Sequence, residues 1–234
     1  MAPANLAEAS KDLRYLLSRG YRREGAVRFV GDKYGLRQIE RLVLYRCVYD
    51  TDAAGRHKTK LARVGDIVGR SLSVDGYNVL ITTENLLSGV LVIMSDDGLL
   101  RDVASVSGRY RISAWTGEAL KILLSVIKDA KPSRTLWFFD APIPRSGELS
   151  SIVRQELRSS GLEGDAATVR AADRAAVLTG ELVASSDSAA VEKAAKVIDL
   201  PRQVAADRGM ILPRVEDLDD TALLRASDEG LRRE

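Results

Sequence analysis

From about residue 71 onward, short apolar runs alternate with longer segments whose apolar residues recur at helical spacing. Such an alternation is typical of α/β folds, in which helices flank a mostly parallel sheet. Strands are predicted at 72–74, 90–94, 135–139, 166–170 and 181–185, and helices at 116–129, 147–159 and 187–198. A hairpin is a further expectation for 96–113, because Asp97-Gly98 is a strong turn signal.

Residues 4–50 follow a different pattern, with apolar residues at helical spacing interrupted at Gly20 and near Gly31 and Gly35. Three short helices are expected there, forming a small all-helical domain ahead of the sheet. The residues that follow read as a polar connection, and the C-terminal residues read as a charged tail that is mobile or weakly helical. The predicted boundaries are 1–55 for the basic helical domain, 56–70 for the linker, 71–212 for the α/β domain and 213–234 for the tail.

Charge is distributed unevenly along the chain. Residues 1–70 contain 15 Lys and Arg against eight Asp and Glu, whereas the whole chain has a formal net charge of only +2. A basic N-terminal part suggests contact with nucleic acid, and solvated helix faces are the equally weighted alternative.

Several classes of site are excluded by composition. Cys47 is the single cysteine, so the chain can form no internal disulfide and no zinc site built on several thiolates. His57 is the single histidine, which leaves little room for a histidine-dependent triad, and its basic surroundings read as a solvated connection. No apolar run is long enough to cross a bilayer, and the N-terminus has no apolar signal region, so no membrane partner and a cytoplasmic location are expected.

Acidic residues follow four of the predicted strands. They are Asp75, the pair Asp96 and Asp97, Asp140 and Asp187. In an open parallel sheet, ligands bind beyond the carboxyl ends of the strands, and carboxylates gathered there repel one another unless protons or cations relieve them. Clustered oxygen ligands suit Mg²⁺ or Mn²⁺, which can activate water and neutralise charge on a phosphodiester. For each acid taken singly, capping of the following helix is the alternative, and Asp187 is well placed for it.

Other candidate binding residues lie close to these acids. Arg145 and Ser146 open a helix just after Asp140, where they and the backbone N–H groups could hold a phosphate, with a serine N-cap as the alternative. Tyr77 either stacks on a base or forms part of the core or of a cleft wall. The chain has no glycine-rich dinucleotide motif and no P-loop.

The segment VDGYNVL at 74–80 resembles the first strand of the NYN branch of PIN-like nucleases, where an (I/V)DGxN(V/I) segment supplies a metal-binding Asp and a neighbouring Asn. FFDAP at 138–142 and VASSDSA at 183–189 are similar to later strands of that group. The resemblance implies a PIN-like sheet and Mg²⁺- or Mn²⁺-dependent cleavage of RNA. It assigns the metal to Asp75, Asp140 and Asp187. Asp96 or Asp97, from a segment at 86–114 that looks like an insertion into this fold, would assist them. Asn78 would then bond a ligand carboxylate, a metal-bound water or the substrate backbone.

The chain as a whole resembles an uncharacterised prokaryotic family whose front half is described as domain of unknown function 434. The segments that carry this likeness include LRYLLSRGY at 13–21, RFVGDKYGL at 28–36, RLVLYRCV at 41–48 and SDDGLLRDV at 95–103. The chain departs from PIN-like enzymes at Ala189, where many of them have a second Asp. The helical acid expected after the first strand has Glu84 as its candidate.

These observations lead to three hypotheses. The first is a metal-dependent ribonuclease, compatible with a homodimer, in which Arg145 and the basic helices hold phosphates. The second is a non-catalytic nucleic-acid-binding or regulatory protein whose acidic site is incomplete. The third is an enzyme that uses the same acidic pocket and Mg²⁺ on a phosphorylated small molecule.

Overall fold

The computed structural model describes residues 6–103, 110–219 and Leu223. The chain divides into two compact units. Unit 1 comprises Met1–Thr59, Gly89–Ser105 and Ile211–Glu234, and unit 2 comprises Lys60–Ser88 and Val106–Met210. These units differ from the predicted boundaries, because residues 89–103 and 211–219 group with the N-terminal helices.

Unit 1 begins with α1 (Leu6–Ser18), α2 (Arg23–Lys33) and α3 (Gln38–Cys47), which confirm the three predicted helices. A fourth helix, α4 (Thr51–Lys60), lies where the polar linker was predicted. The Asp50 carboxylate accepts a hydrogen bond from Ala53 N at 2.9 Å at the start of this helix. His57 is only 3% exposed, so its assignment to a solvated connection is wrong.

A hairpin of β3 (Val92–Met94) and β4 (Leu100–Asp102) completes unit 1, with Asp97-Gly98 in its turn as predicted. The two strands are antiparallel and form their own two-stranded sheet, so the prediction that 90–94 joins the parallel sheet is wrong. Val215, in a 3₁₀ turn at Val215–Asp217, packs in the same core as the helices. The start of the predicted tail is therefore packed. Residues 104–109, 220–222 and 224–234 lie outside the described residues.

Unit 2 is built on a parallel sheet of six strands in the order β1-β8-β7-β2-β5-β6, which confirms the predicted α/β class. The strands are β1 (Leu61–Ala62), β2 (Ser71–Asp75), β5 (Arg134–Asp140), β6 (Gly164–Val169), β7 (Leu182–Ala184) and β8 (Val197–Ile198). All five residues of β2 are buried, as expected of a central strand.

The helices of unit 2 connect these strands. They are α5 (Gly76–Leu87), α6 (Ala114–Asp129), α7 (Ser146–Ser159), α8 (Ala172–Thr179), α9 (Ser188–Lys193) and α10 (Leu200–Asp207). The predicted helices at 116–129 and 147–159 are confirmed as α6 and α7. The predicted helix at 187–198 is too long, because α9 ends at Lys193 and the chain then forms β8. Within the described ranges, no helix combines the length and apolar character needed to span a membrane.

The strand order reverses beside β2. The chain runs outward from β2 to β5 and β6, then returns to pair β7 with the opposite side of β2. In open parallel sheets, such a reversal leaves a crevice beyond the carboxyl ends of the strands on either side of it. The carboxyl end of β2 is therefore where this fold is best suited to hold a ligand.

Candidate functional site

Asp75 is the last residue of β2, and α5 begins at the next residue, Gly76. A Cβ atom on Gly76 would overlap the ring of Phe139 on the neighbouring strand. Glycine therefore allows α5 to start in direct contact with β5. This close packing holds Asp75 at the end of the sheet with only 5% of its surface exposed.

The parallel pairing places Asp140 and Asp187 at the same edge of the sheet as Asp75. Asp75 lies opposite Phe138 of β5, two residues before Asp140. On the other side, Val74 lies opposite Ala184 at the end of β7, three residues before Asp187. Three of the acids singled out in the sequence thus follow three adjacent strands.

The Asp75 side chain forms no regular capping hydrogen bond with α5, although the backbone N–H of Asn78 in the first turn of that helix acts to lower the pKa of Asp75. Its Oδ2 accepts a hydrogen bond from the Ser185 hydroxyl at 3.0 Å. The Ser185 Oγ in turn accepts from the backbone N–H of Asp187 at 3.1 Å. Ser185 and Asp187 both lie in the loop between β7 and α9, so this loop orients the Asp75 carboxyl group.

The pKa of Asp75 is raised to about 7. Burial is the largest cause, because it penalises the charged carboxylate. The hydrogen bond from Ser185 opposes the rise, whereas the negative charges of Asp187 and Asp140 add to it. A bound proton or cation would therefore relieve this site.

Asp140 and Asp187 each use one oxygen in the fold. Asp140 Oδ1 accepts from the backbone N–H of Ala172, at 2.9 Å, at the start of α8. Asp187 Oδ1 caps α9 by accepting from Ala189 N and Ala190 N at 2.8 and 3.0 Å. The capping alternative thus holds for Asp187, whereas Asp140 bonds to the start of α8 and not to α7, the helix that follows it in the chain. Their other carboxylate oxygens make no hydrogen bond within the described residues.

Asn78, in the first turn of α5, forms hydrogen bonds with the loop between β7 and α9. Its Oδ1 accepts from the backbone N–H of Ser186 at 2.7 Å and from the Ser186 hydroxyl at 3.1 Å. This contact fixes the loop that carries Ser185. Asn78 is thus a positioning residue for Asp75, a role that the sequence analysis did not include.

No basic side chain of the described residues forms an ion pair with Asp75, Asp140 or Asp187. The three carboxylates are therefore not compensated by this part of the protein itself. Within the same residues, no group of three or more His, Cys, Asp or Glu side chains is already gathered closely enough to hold a metal ion. The acids share a sheet edge without forming a ready-made metal cage.

Asp96 and Asp97 were predicted to assist in metal binding. Both belong to unit 1, where they form ion pairs with arginines. Asp96 receives two hydrogen bonds from the Arg14 guanidinium at 2.7 and 2.8 Å. Asp97 is fully buried, binds Arg101 through both carboxylate oxygens and lies 2.8 Å from His57 Nδ1. These pairs stabilise unit 1, and we do not include the two acids in the proposed metal site.

Arg145 and Ser146 also have partners within the chain. The Arg145 guanidinium donates twice to Glu148, at 2.7 Å each, and is 60% exposed. Ser146 is buried and is the first residue of α7, with its Oγ 3.4 Å from the Ala141 carbonyl oxygen, so it is not the N-cap. A phosphate would have to displace Glu148 to use the full guanidinium.

Tyr77 is 4% exposed and packs edge-on against Tyr110 and Phe139, so its ring belongs to the core and is not a free stacking platform. Its hydroxyl is buried and has no hydrogen-bond partner among the described residues. Burial, followed by the charge of Asp140, raises the pKa of Tyr77 to about 12. Glu84 is also buried on α5 and accepts from the Tyr110 hydroxyl at 2.6 Å, so it serves the packing of unit 2.

A cleft of about 840 Å³ lies elsewhere in unit 2, along α10, and none of the three strand-end acids lines it. Ser185 and Ser186 are the site residues that sequence reasoning missed. Two hydroxyl residues between an apolar strand and Asp187 were a usable signal, because residues that follow parallel strands lie at one sheet edge.

Comparison with known proteins places this fold in a family. The family model described as domain of unknown function DUF5616 matches residues 64–203. The chain belongs to the DUF5616 family. The family described as protein of unknown function DUF434 matches residues 5–60, which confirms the likeness noted for the front of the sequence.

A relative in Methanocaldococcus jannaschii, an uncharacterized protein, is 31% identical over 198 residues. The match covers 84% of this chain and 94% of the relative, so it includes residues of both family segments. No solved structure matches the chain. Neither family description names an activity, and the likeness to nucleases stays a prediction.

Proposed function

We propose that unit 2 is a metal-dependent nuclease domain that cuts RNA, with Asp75, Asp140 and Asp187 holding Mg²⁺ or Mn²⁺. One observation carries the proposal. Three acids that pair with no basic side chain of the described residues follow adjacent parallel strands, at the point where the strand order reverses. The negative charges of Asp187 and Asp140 raise the pKa of Asp75, and a divalent cation would offset this repulsion.

The three carboxyl groups fit a hard cation whose coordination shell is completed by water and by the substrate. Mg²⁺ usually keeps several water molecules and is held by one or two carboxylates together with substrate phosphates. A site of this kind needs no group of three acids gathered in advance. Asp140 and Asp187 each have a carboxylate oxygen that the described fold does not use, and the raised pKa of Asp75 reports a group that a nearby cation would ionise.

The cation would supply charge neutralisation at a phosphodiester and an activated water. The residues of the chain supply orientation. Ser185 holds Asp75 through Oδ2, and Asn78 holds the Ser185 loop through Ser186. Asp140 is fixed by the hydrogen bond that it accepts at the start of α8, and Asp187 by those that it accepts at the start of α9.

RNA is proposed as the substrate on two grounds, namely the basic composition of residues 1–70 and the likeness of VDGYNVL to nuclease strands. A cytoplasmic location and a homodimer stay predictions.

The test is cleavage of end-labelled single-stranded RNA with Mn²⁺ by the full-length chain, compared with Asp75→Asn and with EDTA. We expect cleavage by the wild-type protein with Mn²⁺, and none by Asp75→Asn or in EDTA. Asp129→Asn is the matched control, because this exposed acid at the end of α6 is outside the proposed site and should cleave as the wild type does. Equal cleavage in all four samples would sink the proposal.

A non-catalytic nucleic-acid-binding role is the second candidate. It is favoured by the use of Asp187 as a cap and by the absence of a three-acid group among the described residues. RNA binding without metal and without any cleavage would support it. Hydrolysis of a small phosphate ester with no cleavage of RNA would instead support an enzyme that acts on phosphorylated small molecules.

A further inference from the structure

Unit 1 carries three aromatic side chains that the fold leaves largely exposed. Tyr15 is 62% exposed, Tyr21 is 61% exposed and Phe29 is 64% exposed. Rings of this size normally contribute to a core or to an interface. Three in one short stretch of sequence therefore indicate a contact surface.

These rings are connected through the turn between α1 and α2. The chain reverses at Gly20, whose φ of 82° is in the left-handed region, and the backbone N–H of Tyr21 bonds to Leu16 O at 3.1 Å. The Tyr21 backbone thus returns to the last turn of α1, which includes Tyr15. Arg22 occupies the N-cap position of α2 without a side-chain cap bond, and Phe29 lies two helical turns further on the same face, about 10 Å along the helix axis.

Arginines are interleaved with the rings. Arg19, Arg22 and Arg28 are all exposed, and none of them forms an ion pair with a described residue. The Arg19 guanidinium lies 6.0 Å from the centre of the Tyr15 ring. The six residues Tyr15, Arg19, Tyr21, Arg22, Arg28 and Phe29 form what we call the aromatic–arginine surface.

The nearby acids Glu24 and Asp32 form no ion pair with Arg19, Arg22 or Arg28. Glu24 accepts a hydrogen bond from the Tyr45 hydroxyl at 3.3 Å, and Asp32 pairs with Arg41 at 2.9 Å. Gly25, between Arg22 and Phe29 on α2, is exposed, and an added Cβ there would meet nothing within 4 Å. The face of α2 is thus open between the positive charge and the ring.

We propose that the aromatic–arginine surface binds single-stranded RNA, with bases stacked on Tyr15, Tyr21 and Phe29 and phosphates held by the three arginines. Unstacked bases expose apolar faces that suit such rings, and the phosphate backbone complements exposed guanidinium groups. An apolar protein partner would leave three positive charges without a counterpart. The inference rests on the proposed function only in taking RNA as the nucleic acid.

The experiment is fluorescence anisotropy of a labelled single-stranded RNA of about 12 nucleotides, titrated with the full-length chain in EDTA. The Tyr21→Ala/Phe29→Ala double variant should weaken binding by at least roughly 25-fold, since stacking contributes about fivefold or more for each base and the variant removes two rings. Arg22→Ala/Arg28→Ala should weaken binding and lower the slope of log Kd against log salt by about 1 to 2. A duplex of the same sequence should bind more weakly than the single strand, because its bases are already stacked.

Lys121→Ala and Leu178→Ala are matched controls, since they remove an exposed charge on α6 and an exposed apolar side chain on α8. Both should bind as the wild type does. All substituted side chains are exposed, and circular dichroism checks that the variants are folded. The inference is overturned if the wild type does not bind, if the double variants bind as tightly as the controls, or if duplex and single strand bind equally. Binding is read without metal, so its failure is separate from failure of Mn²⁺-dependent cleavage.

Discussion

The Ser185 hydroxyl donates to Oδ2 of Asp75 at 3.0 Å and links residues 110 positions apart in the chain. It opposes the burial that raises the pKa of Asp75. Ser185→Ala should therefore raise the pKa of Asp75 above its value of about 7, by about one pH unit, since hydrogen bonds to charged groups are strong. Carbon-13 NMR titration of aspartate-labelled protein measures this change. Ser151→Ala, on the exposed face of α7, is the control, and an unchanged Asp75 midpoint in Ser185→Ala would contradict the prediction.

Asp75 should make stability depend on pH in metal-free buffer. Its pKa is about 7 when folded, against an ordinary value of 3.8, so the folded state binds the extra proton between these values. The free energy of unfolding should fall as the pH rises through this window, by up to roughly 4 kcal/mol. Asp75→Asn should consequently be more stable than the wild type near neutral pH. Below about pH 3.8 the two proteins should have similar free energies of unfolding.

Urea unfolding with EDTA at several pH values measures the Asp75 effect. Asp129→Asn should follow the wild-type curve, because this residue is exposed. If Asp75→Asn is destabilised equally at every pH, the Asp75 carboxyl group does not carry the unfavourable buried charge described above.

Gly76 should not tolerate a side chain. Gly76→Ala would push a Cβ into the Phe139 ring at the β2–α5 junction, with an expected loss of about 1–3 kcal/mol in the free energy of unfolding. Gly117→Ala is the control, because this exposed glycine inside α6 has open space around it and should gain about 0.5–1 kcal/mol in helix propensity. Thermal unfolding compares the two, and a stable Gly76→Ala would mean that the two elements are not packed as described.

Asp97 should be essential for the stability of unit 1. Arg101 is 4% exposed and pairs with Asp97 through two hydrogen bonds, so Asp97→Asn removes the negative charge that compensates a buried guanidinium. The expected loss is about 3–5 kcal/mol, against less than about 0.5 kcal/mol for the exposed control Asp52→Asn. Hydrogen exchange over residues 6–59 measures it, and equal protection in the two variants would contradict the role.

The same carboxyl group predicts sensitivity to acid. Burial acts to raise the pKa of Asp97, but hydrogen bonds from His57 and Arg101 outweigh it and hold the pKa below its ordinary value of 3.8. The stabilisation should thus be present above that value and be lost as the pH falls below it. Wild-type unit 1 should lose hydrogen-exchange protection in this range, and protection in Asp97→Asn should change less.

The sequence was sufficient for the fold class and for the edge of the sheet where the acids lie. Apolar runs bounded by turns predicted β2 and β5, and parallel strands necessarily bring their ends together. The helix α5 was not predicted, because ten of its twelve residues are buried and it lacks the solvent-exposed face of a surface helix. Its Val79, Leu80 and Ile81 read equally well as a strand.

Long-range pairing accounts for the other errors. His57 and Asp97 are 40 residues apart, and the polar sequence around His57 gives no sign of burial beside a hairpin turn. The same is true of Ser186, whose contact with Asn78 spans 108 residues. Local spacing specifies the faces of helices and the ends of strands, whereas such contacts depend on how the elements pack.

Binding of Mn²⁺ by the full-length chain, followed as loss of the free-ion signal in electron paramagnetic resonance, tests the central claim most directly. At about pH 8, where Asp75 is mostly ionised, the wild type and Asp129→Asn should bind Mn²⁺ with equal affinity, and Asp75→Asn should bind at least about tenfold more weakly. Wild-type protein that binds no Mn²⁺, or Asp75→Asn that binds it as tightly as the wild type, would contradict the assignment of a cation to the three aspartates.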